Sequence, residues 1–176
     1  MDIRGAGYAD EIGNIQKTVD MYAKKYGTKI PIAVAGGIDT PQKVKHVLNL
    51  GVQAVQVGTR FVTTEECDAD IRYKQAYIKA CKEDIVIVKS PVGMPGRAIK
   101  NTMLESVLRG ENIPPRKCYH CLAKCDPGQI PYCITKALIE AAKGNTEEGL
   151  LFCGANAYEI EKLSTVEKVM QELCGE

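Results

Sequence analysis

No apolar run in this sequence approaches the roughly 20 residues that a bilayer-spanning helix needs, so no membrane association is expected. An excess of either charge is also missing. The 23 Lys and Arg residues stand against 22 Asp and Glu, for a net charge of +1, and nothing in that balance points to nucleic acid or an anionic surface. Histidine is scarce: His46 and His120 are the two present. The acids Glu65, Glu66, Asp68 and Asp70 have no compact carboxylate–histidine spacing that would support acid–base or metal chemistry, and they read as complementing a helix dipole. Internal repeats, low-complexity tracts and flexible interdomain linkers are absent. The N-terminus, MDIRGAGYADEIG, has no apolar signal-peptide core, and a cytoplasmic location is the expectation. What remains is ordinary: 176 residues, 45% hydrophobic and 26% charged, enough for one sizeable core.

The most informative stretch is IPIAVAGGIDTPQKVKHVLNLGVQAVQVGTRF, Ile30 to Phe61. Two short apolar runs, Ile30–Ala35 and Ala54–Val57, each end in glycine, and their near-continuous hydrophobicity suits strands buried on both faces of a parallel sheet. Between them Thr40 is a good N-cap, Pro41 a good first helical residue and Gly51 a natural stop. Val44, Val47 and Leu48 form one stripe. This is a strand–helix–strand unit with parallel strands. Its glycine ends, Gly36-Gly37 and Gly58-Thr59, fall where α/β folds place ligands, and they suit a phosphate held by backbone N–H groups, with the Thr59 hydroxyl as a further donor.

Elsewhere, residues 1–9 read as a loop. A helix is expected from Asp10 to Tyr26, with Ile12, Ile15, Val19, Tyr22 and Tyr26 as packing residues. Further helices are expected after Asp70, at Ala98–Arg109, Tyr132–Lys143 and from Thr165 on, with another start near Thr146. Asp84–Lys89 is a third strand candidate. It leads into a Gly- and Pro-rich loop, Ser90–Arg97, that is too long for a simple turn and reads as an irregular connector.

Four of the eight cysteines crowd into CYHCLAKCDPGQIPYC, with the spacing C-x2-C-x3-C-x7-C. Cys118, Cys121, Cys125 and Cys133 could supply a sulfur set for zinc or an iron–sulfur cluster, with His120 as an alternative ligand. Packed reduced thiols and a redox or disulfide role stay open. Cys67, Cys81 and Cys174 read as isolated small hydrophobes.

AVAGGIDTP, VQAVQVGTRF and TTEECDADIRYKQAY, followed by IVKSPVGMPGRAIKN and EEGLLFCGANA, resemble the nitronate monooxygenase (2-nitropropane dioxygenase) family and, less closely, the flavin-type enoyl-acyl-carrier-protein reductases. The resemblance implies an α/β fold: the C-terminal part of a (β/α)8 TIM-type barrel with a small added, mostly helical domain. A whole barrel takes about 250 residues, so the chain is expected to be the C-terminal portion of a longer enzyme. The implied domains are 1–66 (barrel), 67–148 (covering domain, with the cysteine segment 118–133) and 149–176 (return to the barrel and last helix). The implied cofactor is FMN, with Gly36, Gly37, Gln56, Gly58 and Thr59 contacting chiefly its phosphate. The implied reaction is oxidation of a small nitronate by dioxygen, the alternatives being enoyl reduction or a non-catalytic metal-binding module. The resemblance implies that the family's histidine lies outside this chain, in an N-terminal half, and that the Ser90–Arg97 loop belongs to the part that covers the flavin and borders the substrate. Cys153 stands where the family has a small residue. Open parallel edges favour pairing with another chain, so a homo-oligomer is expected.

Overall fold

Helix formation begins earlier than the first apolar repeat suggests. The computed structural model describes residues 6–123 and 125–175. Helix α1 spans Ala6–Tyr26, where a loop is expected as far as Ala9. The rest of that expected loop lies outside the described residues. Tyr8 and Ile12 are both buried in the core, and that packing extends the helix by a turn. The elements that follow are β1 (Ala33–Ala35), α2 (Pro41–Asn49), β2 (Ala54–Gln56), α3 (Thr59–Val62), α4 (Ile71–Lys79), β3 (Ile85–Lys89), β4 (Pro95–Ile99), α5 (Thr102–Leu108), α6 (Ile134–Ala142) and α7 (Val166–Cys174). This α/β chain divides into two compact units. One runs up to Phe61 and resumes at Thr165; the other is Val62–Ser164.

In the first unit β1 and β2 pair in parallel, with Ala33 opposite Ala54, Val34 opposite Val55 and Ala35 opposite Gln56. Helix α2 makes the crossover as expected: the Thr40 hydroxyl accepts from the Lys43 N–H, and Pro41 opens the helix, a cap of about 1 kcal/mol. Strand β1 is shorter than the expected Ile30–Ala35. Pro31 lacks an N–H, and the Ile32 N–H donates to Gln53 Oε1 at 2.8 Å. The Ile32 carbonyl accepts from both Gln53 and Ala54. Strand β2 likewise stops one residue before Val57.

The strands are not buried on both faces. Val34 and Val55 are half-buried, whereas Ala33, Ala35, Ala54 and Gln56 are exposed. Among the described residues this sheet has two strands, so one face has no cover and no closed barrel is present. The other face packs with Val44, Val47, Ile38, Val169 and Leu173. Tyr22 and Tyr26 do not join that core. They are exposed and stack on each other with ring centroids 6.2 Å apart, one helical turn apart on the outer face of α1.

The second unit corrects two expectations. Ser90–Arg97 is not one long irregular loop, and Ala98–Arg109 is not one helix. The chain turns tightly at Ser90–Gly93, where Gly93 has φ +89°, and returns as β4, antiparallel to β3 from Lys89↔Pro95 to Ile85↔Ile99. Arg97 therefore sits in a strand. The next helix starts only at Thr102, where the Asn101 side chain caps it by accepting from the Leu104 N–H at 2.9 Å. The segment Glu147–Glu148 forms a turn, not a helix.

Cys81 is exposed, and its Sγ donates to Asp84 Oδ2 at 3.0 Å. Asp70 caps α4 through the Arg72 N–H at 2.9 Å, which agrees with the dipole reading for that residue alone, since the first turn of α4 holds no acid. Lys74 is buried, and its Nζ donates to the carbonyls of Thr64 (2.7 Å) and Glu65 (3.1 Å). Nothing in the periodicity marks that side chain. Among the described residues no helix is long and apolar enough to cross a membrane.

Candidate functional site

The pairing of Ala35 with Gln56 brings the carboxyl ends of β1 and β2 side by side. The chain leaves β1 through Gly36 (φ +99°) and Gly37 (φ +71°), a backbone region closed to ordinary side chains. Beyond β2, Gly58 precedes α3, whose first residue is Thr59, and the Gly58 carbonyl accepts from the Phe61 N–H at 2.9 Å. A Cβ added at Gly36 or Gly58 would meet no atom within 4 Å. Gln56 is exposed as the last residue of β2. The five expected residues, Gly36, Gly37, Gln56, Gly58 and Thr59, thus gather at adjacent strand ends. The open approach to backbone suits an anion the size of a phosphate.

Arg60 ties this end of the unit to two other segments. Its Nη1 donates to the Asp39 carbonyl at 2.8 Å, and its Nη2 pairs with Glu172 on α7. Asp39 in turn pairs with Lys43 on α2. These contacts fix the turn after Gly37 against two helices. Spacing alone did not identify Asp39 or Glu172 as part of that brace. The large groove of this unit, about 1160 Å³, runs along α2, β2 and α7 and is lined by Val44, Leu48, Val55, Val57, Phe61 and Leu173 among others. It includes Gln56 but not the glycine ends. His46 is exposed on α2.

In the second unit two motifs far apart in sequence lie together. The IVKSPVGMPGRAIKN hairpin pairs with EEGLLFCGANA: the Ile99 N–H donates to the Leu151 carbonyl at 3.0 Å and the Cys153 N–H to the Arg97 carbonyl at 2.9 Å. A Cβ at Gly96 would stand 2.4 Å from the Phe152 ring, so glycine is required there. The Tyr77 hydroxyl donates to the Phe152 carbonyl at 2.7 Å and shares a 2.8 Å contact with the Tyr73 hydroxyl. Burial raises the Tyr77 pKa far above the ordinary phenol value. Burial also pushes the Cys153 thiol up to about 11, against the opposing charge of Arg97.

All eight cysteines are free thiols. Cys118, Cys121, Cys125 and Cys133 line one cavity of about 670 Å³. Partial burial and the neighbouring thiols of Cys118, Cys121 and Cys133 push the Cys125 thiol up. Among the described residues no three His, Cys, Asp or Glu side chains are arranged to hold a metal ion. His120 is exposed.

A family model described as nitronate monooxygenase matches residues 5–176. A probable nitronate monooxygenase of Staphylococcus haemolyticus is 37% identical over 87 residues, 49% of this chain and 24% of that protein. FabK of Thermotoga maritima matches with TM-score 0.65 and 24% identity, over 84% of this chain and 44% of that one. Nitroalkane oxidase of Streptomyces ansochromogenes matches with TM-score 0.61 and 23% identity, over 86% and 40%. At those identities the two structures speak for the fold alone. The chain spans about a quarter of the curated relative and less than half of either solved structure.

Proposed function

The chain belongs to the nitronate monooxygenase family, and from that premise we propose that β1, α2 and β2 hold the phosphate of FMN within a (β/α)8 barrel of an enzyme that oxidises alkyl nitronates with dioxygen. The observation that carries the reading is the register of Ala35 with Gln56, with open space over both Gly36 and Gly58. Gly36, Gly37 and Gly58 offer the phosphate backbone N–H groups without side-chain obstruction, and Thr59 adds a hydroxyl at the start of α3. Gln56, exposed at the strand end, orients the group by a side-chain hydrogen bond. The exposed alanines Ala33, Ala35 and Ala54 fit the small layer of a barrel interior. Arg60, Asp39 and Glu172 keep the turn after Gly37 in place.

FMN, when bound, supplies the electron transfer that carries a nitronate and dioxygen to a carbonyl compound and nitrite. His46 lies on α2, and in this reading the proton-handling group is the histidine that the family resemblance implies outside this chain. Oxygen uptake and nitrite release on adding an alkyl nitronate to the FMN-loaded complete barrel that includes this chain test it. The expected result is nitronate-dependent uptake, with NADH leaving the flavin oxidised. Rapid bleaching of the flavin by NADH without nitronate turnover would overturn the assignment in favour of enoyl reduction.

A further inference from the structure

Among its described residues the stretch between α5 and α6 contains no helix or strand, and none of them before Tyr132 is buried. Its base is closed by a bridge between Ile113 and Tyr132, where the Ile113 N–H donates to the Pro131 carbonyl at 2.7 Å. Unstructured loops longer than about 12–15 residues are uncommon within compact units, and apolar burial does not hold this one. What it does contain is thiols. Cys118, Cys121 and Cys125 lie in the loop, and Cys133 sits at its foot as the N-cap of α6, with its side chain making no cap hydrogen bond. All four line the same cavity.

Local contacts already orient two of them. His120 has φ 51°, left-handed although not glycine. That turn brings its N–H to Cys118 Sγ at 3.4 Å. Cys121 Sγ lies 3.1 Å from Thr135 Oγ1, in the first turn of α6 beside Cys133. Backbone N–H groups that donate to cysteine sulfur, and short turns between two cysteines, are the means by which proteins orient thiolates and tune a metal centre.

We propose that Cys118, Cys121, Cys125 and Cys133 form a four-thiolate site for a thiophilic metal centre, zinc or an iron–sulfur cluster, that staples this loop to the start of α6. Because no three of these groups yet stand in coordination geometry, binding and loop closure occur together: the S–H bonds give up their protons to solvent as metal–sulfur bonds form. The zinc form needs no oxidant or reductant, and the cluster form takes up ferric and ferrous iron with inorganic sulfide in the proportion the cluster contains, so no electron is gained or lost on binding. This site is independent of the flavin reading.

The full chain, produced anaerobically and purified without chelator, is analysed for zinc, iron and acid-labile sulfide, and its reactive thiols are counted before and after acid release of metal. The expected result is about one zinc per chain, or iron with matching sulfide, and four of the eight thiols protected until release. Zinc alone and iron with sulfide separate the two forms of the centre. Cys118→Ser and Cys125→Ser should each lose most of the metal, while Cys81→Ser and Cys174→Ser keep it. Less than about 0.2 equivalents of either metal in the parent protein, a Cys118–Cys121 disulfide in its place, or full metal retention in a Cys118→Ser/Cys121→Ser double variant would each overturn the proposal. Because the parent protein is measured directly, the proposal stays falsifiable even if a variant fails to fold.

Discussion

Gly149→Ala is expected to be among the more damaging single methyl additions in the second unit. A Cβ at that position would stand 2.6 Å from the Ala141 Cα and 2.7 Å from its backbone N on α6, against about 3.5–4.0 Å for an ordinary contact. Relief requires the two backbones to separate by about 1 Å, because no flexible side-chain tip can give way. That separation strains the Leu150 N–H bond to the Ala137 carbonyl, now 2.9 Å, and the Asn101 Nδ2 bond to the Gly149 carbonyl, now 2.7 Å. Overpacking of about 1–3 kcal/mol plus partial loss of one hydrogen bond, about 1 kcal/mol, gives a destabilisation near 3 kcal/mol.

In a urea melt followed by far-UV circular dichroism, with a slope of about 2 kcal/mol/M, the midpoint falls by about 1.5 M. Ala141→Gly should fail to rescue it, because the nearest clash is with the α6 backbone. Gly128→Ala is the control: its Cβ would meet only Asp126 Oδ1, at 3.4 Å, and the expected change is within about 0.5 kcal/mol. A Gly149→Ala midpoint within about 0.3 M of the parent would refute the reasoning.

Other outcomes follow from the same geometry. Among the described residues the buried hydroxyl of Tyr132 has no hydrogen-bond partner, so Tyr132→Phe should raise stability by about 1 kcal/mol in a thermal or urea melt; a comparable loss would mean the hydroxyl is bonded. Hydrogen bonds from Arg72 hold the Asp70 carboxyl at about 2, below the ordinary 3.8. Its contribution is therefore complete above the upper value and disappears as pH falls through the lower one. Asp70→Asn should converge with the parent in acid melts at the bottom of that window, and a constant difference across it would sink the linkage. Burial raises the Cys153 thiol from 9.0 to about 11, so the native state keeps that proton longer than the unfolded one. Stability from this group is intact below pH 9 and drains as pH rises toward 11. Cys153→Ala should flatten that alkaline decline, and an unchanged slope would contradict it.

The parts of the fold that local chemistry dictates were readable. Thr40, Pro41 and Gly51 mark both ends of α2, and the two glycine-ended apolar runs do become neighbouring parallel strands. The misses share one cause, which is contact over long sequence distance. SPVGMPGR carries two prolines and two glycines, a loop by composition. It becomes half of a hairpin because Gly93 turns the chain and Gly96 lets the Phe152 ring lie against the backbone. Ile99, Met103, Leu104 and Val107 keep a helical period, yet Asn101 splits them between a strand and a helix. Within the candidate site the glycines stood out because their role is conformational. The role of Arg60 was not legible there, because its partners, the Asp39 carbonyl and Glu172, lie in segments that no spacing rule connects.

The account's central claim is that the paired glycine ends of β1 and β2 bind a phosphate. Parallel titrations of the chain with FMN and with riboflavin, which lacks the phosphate, test it most directly. Charge-assisted hydrogen bonds of about 1.5–3 kcal/mol each predict FMN binding tighter by at least tenfold. Gly58→Asp, which adds bulk and negative charge at an open glycine, should remove that preference while leaving the far-UV spectrum unchanged. Equal affinity for the two flavins, or an undiminished preference in the variant, would contradict the claim.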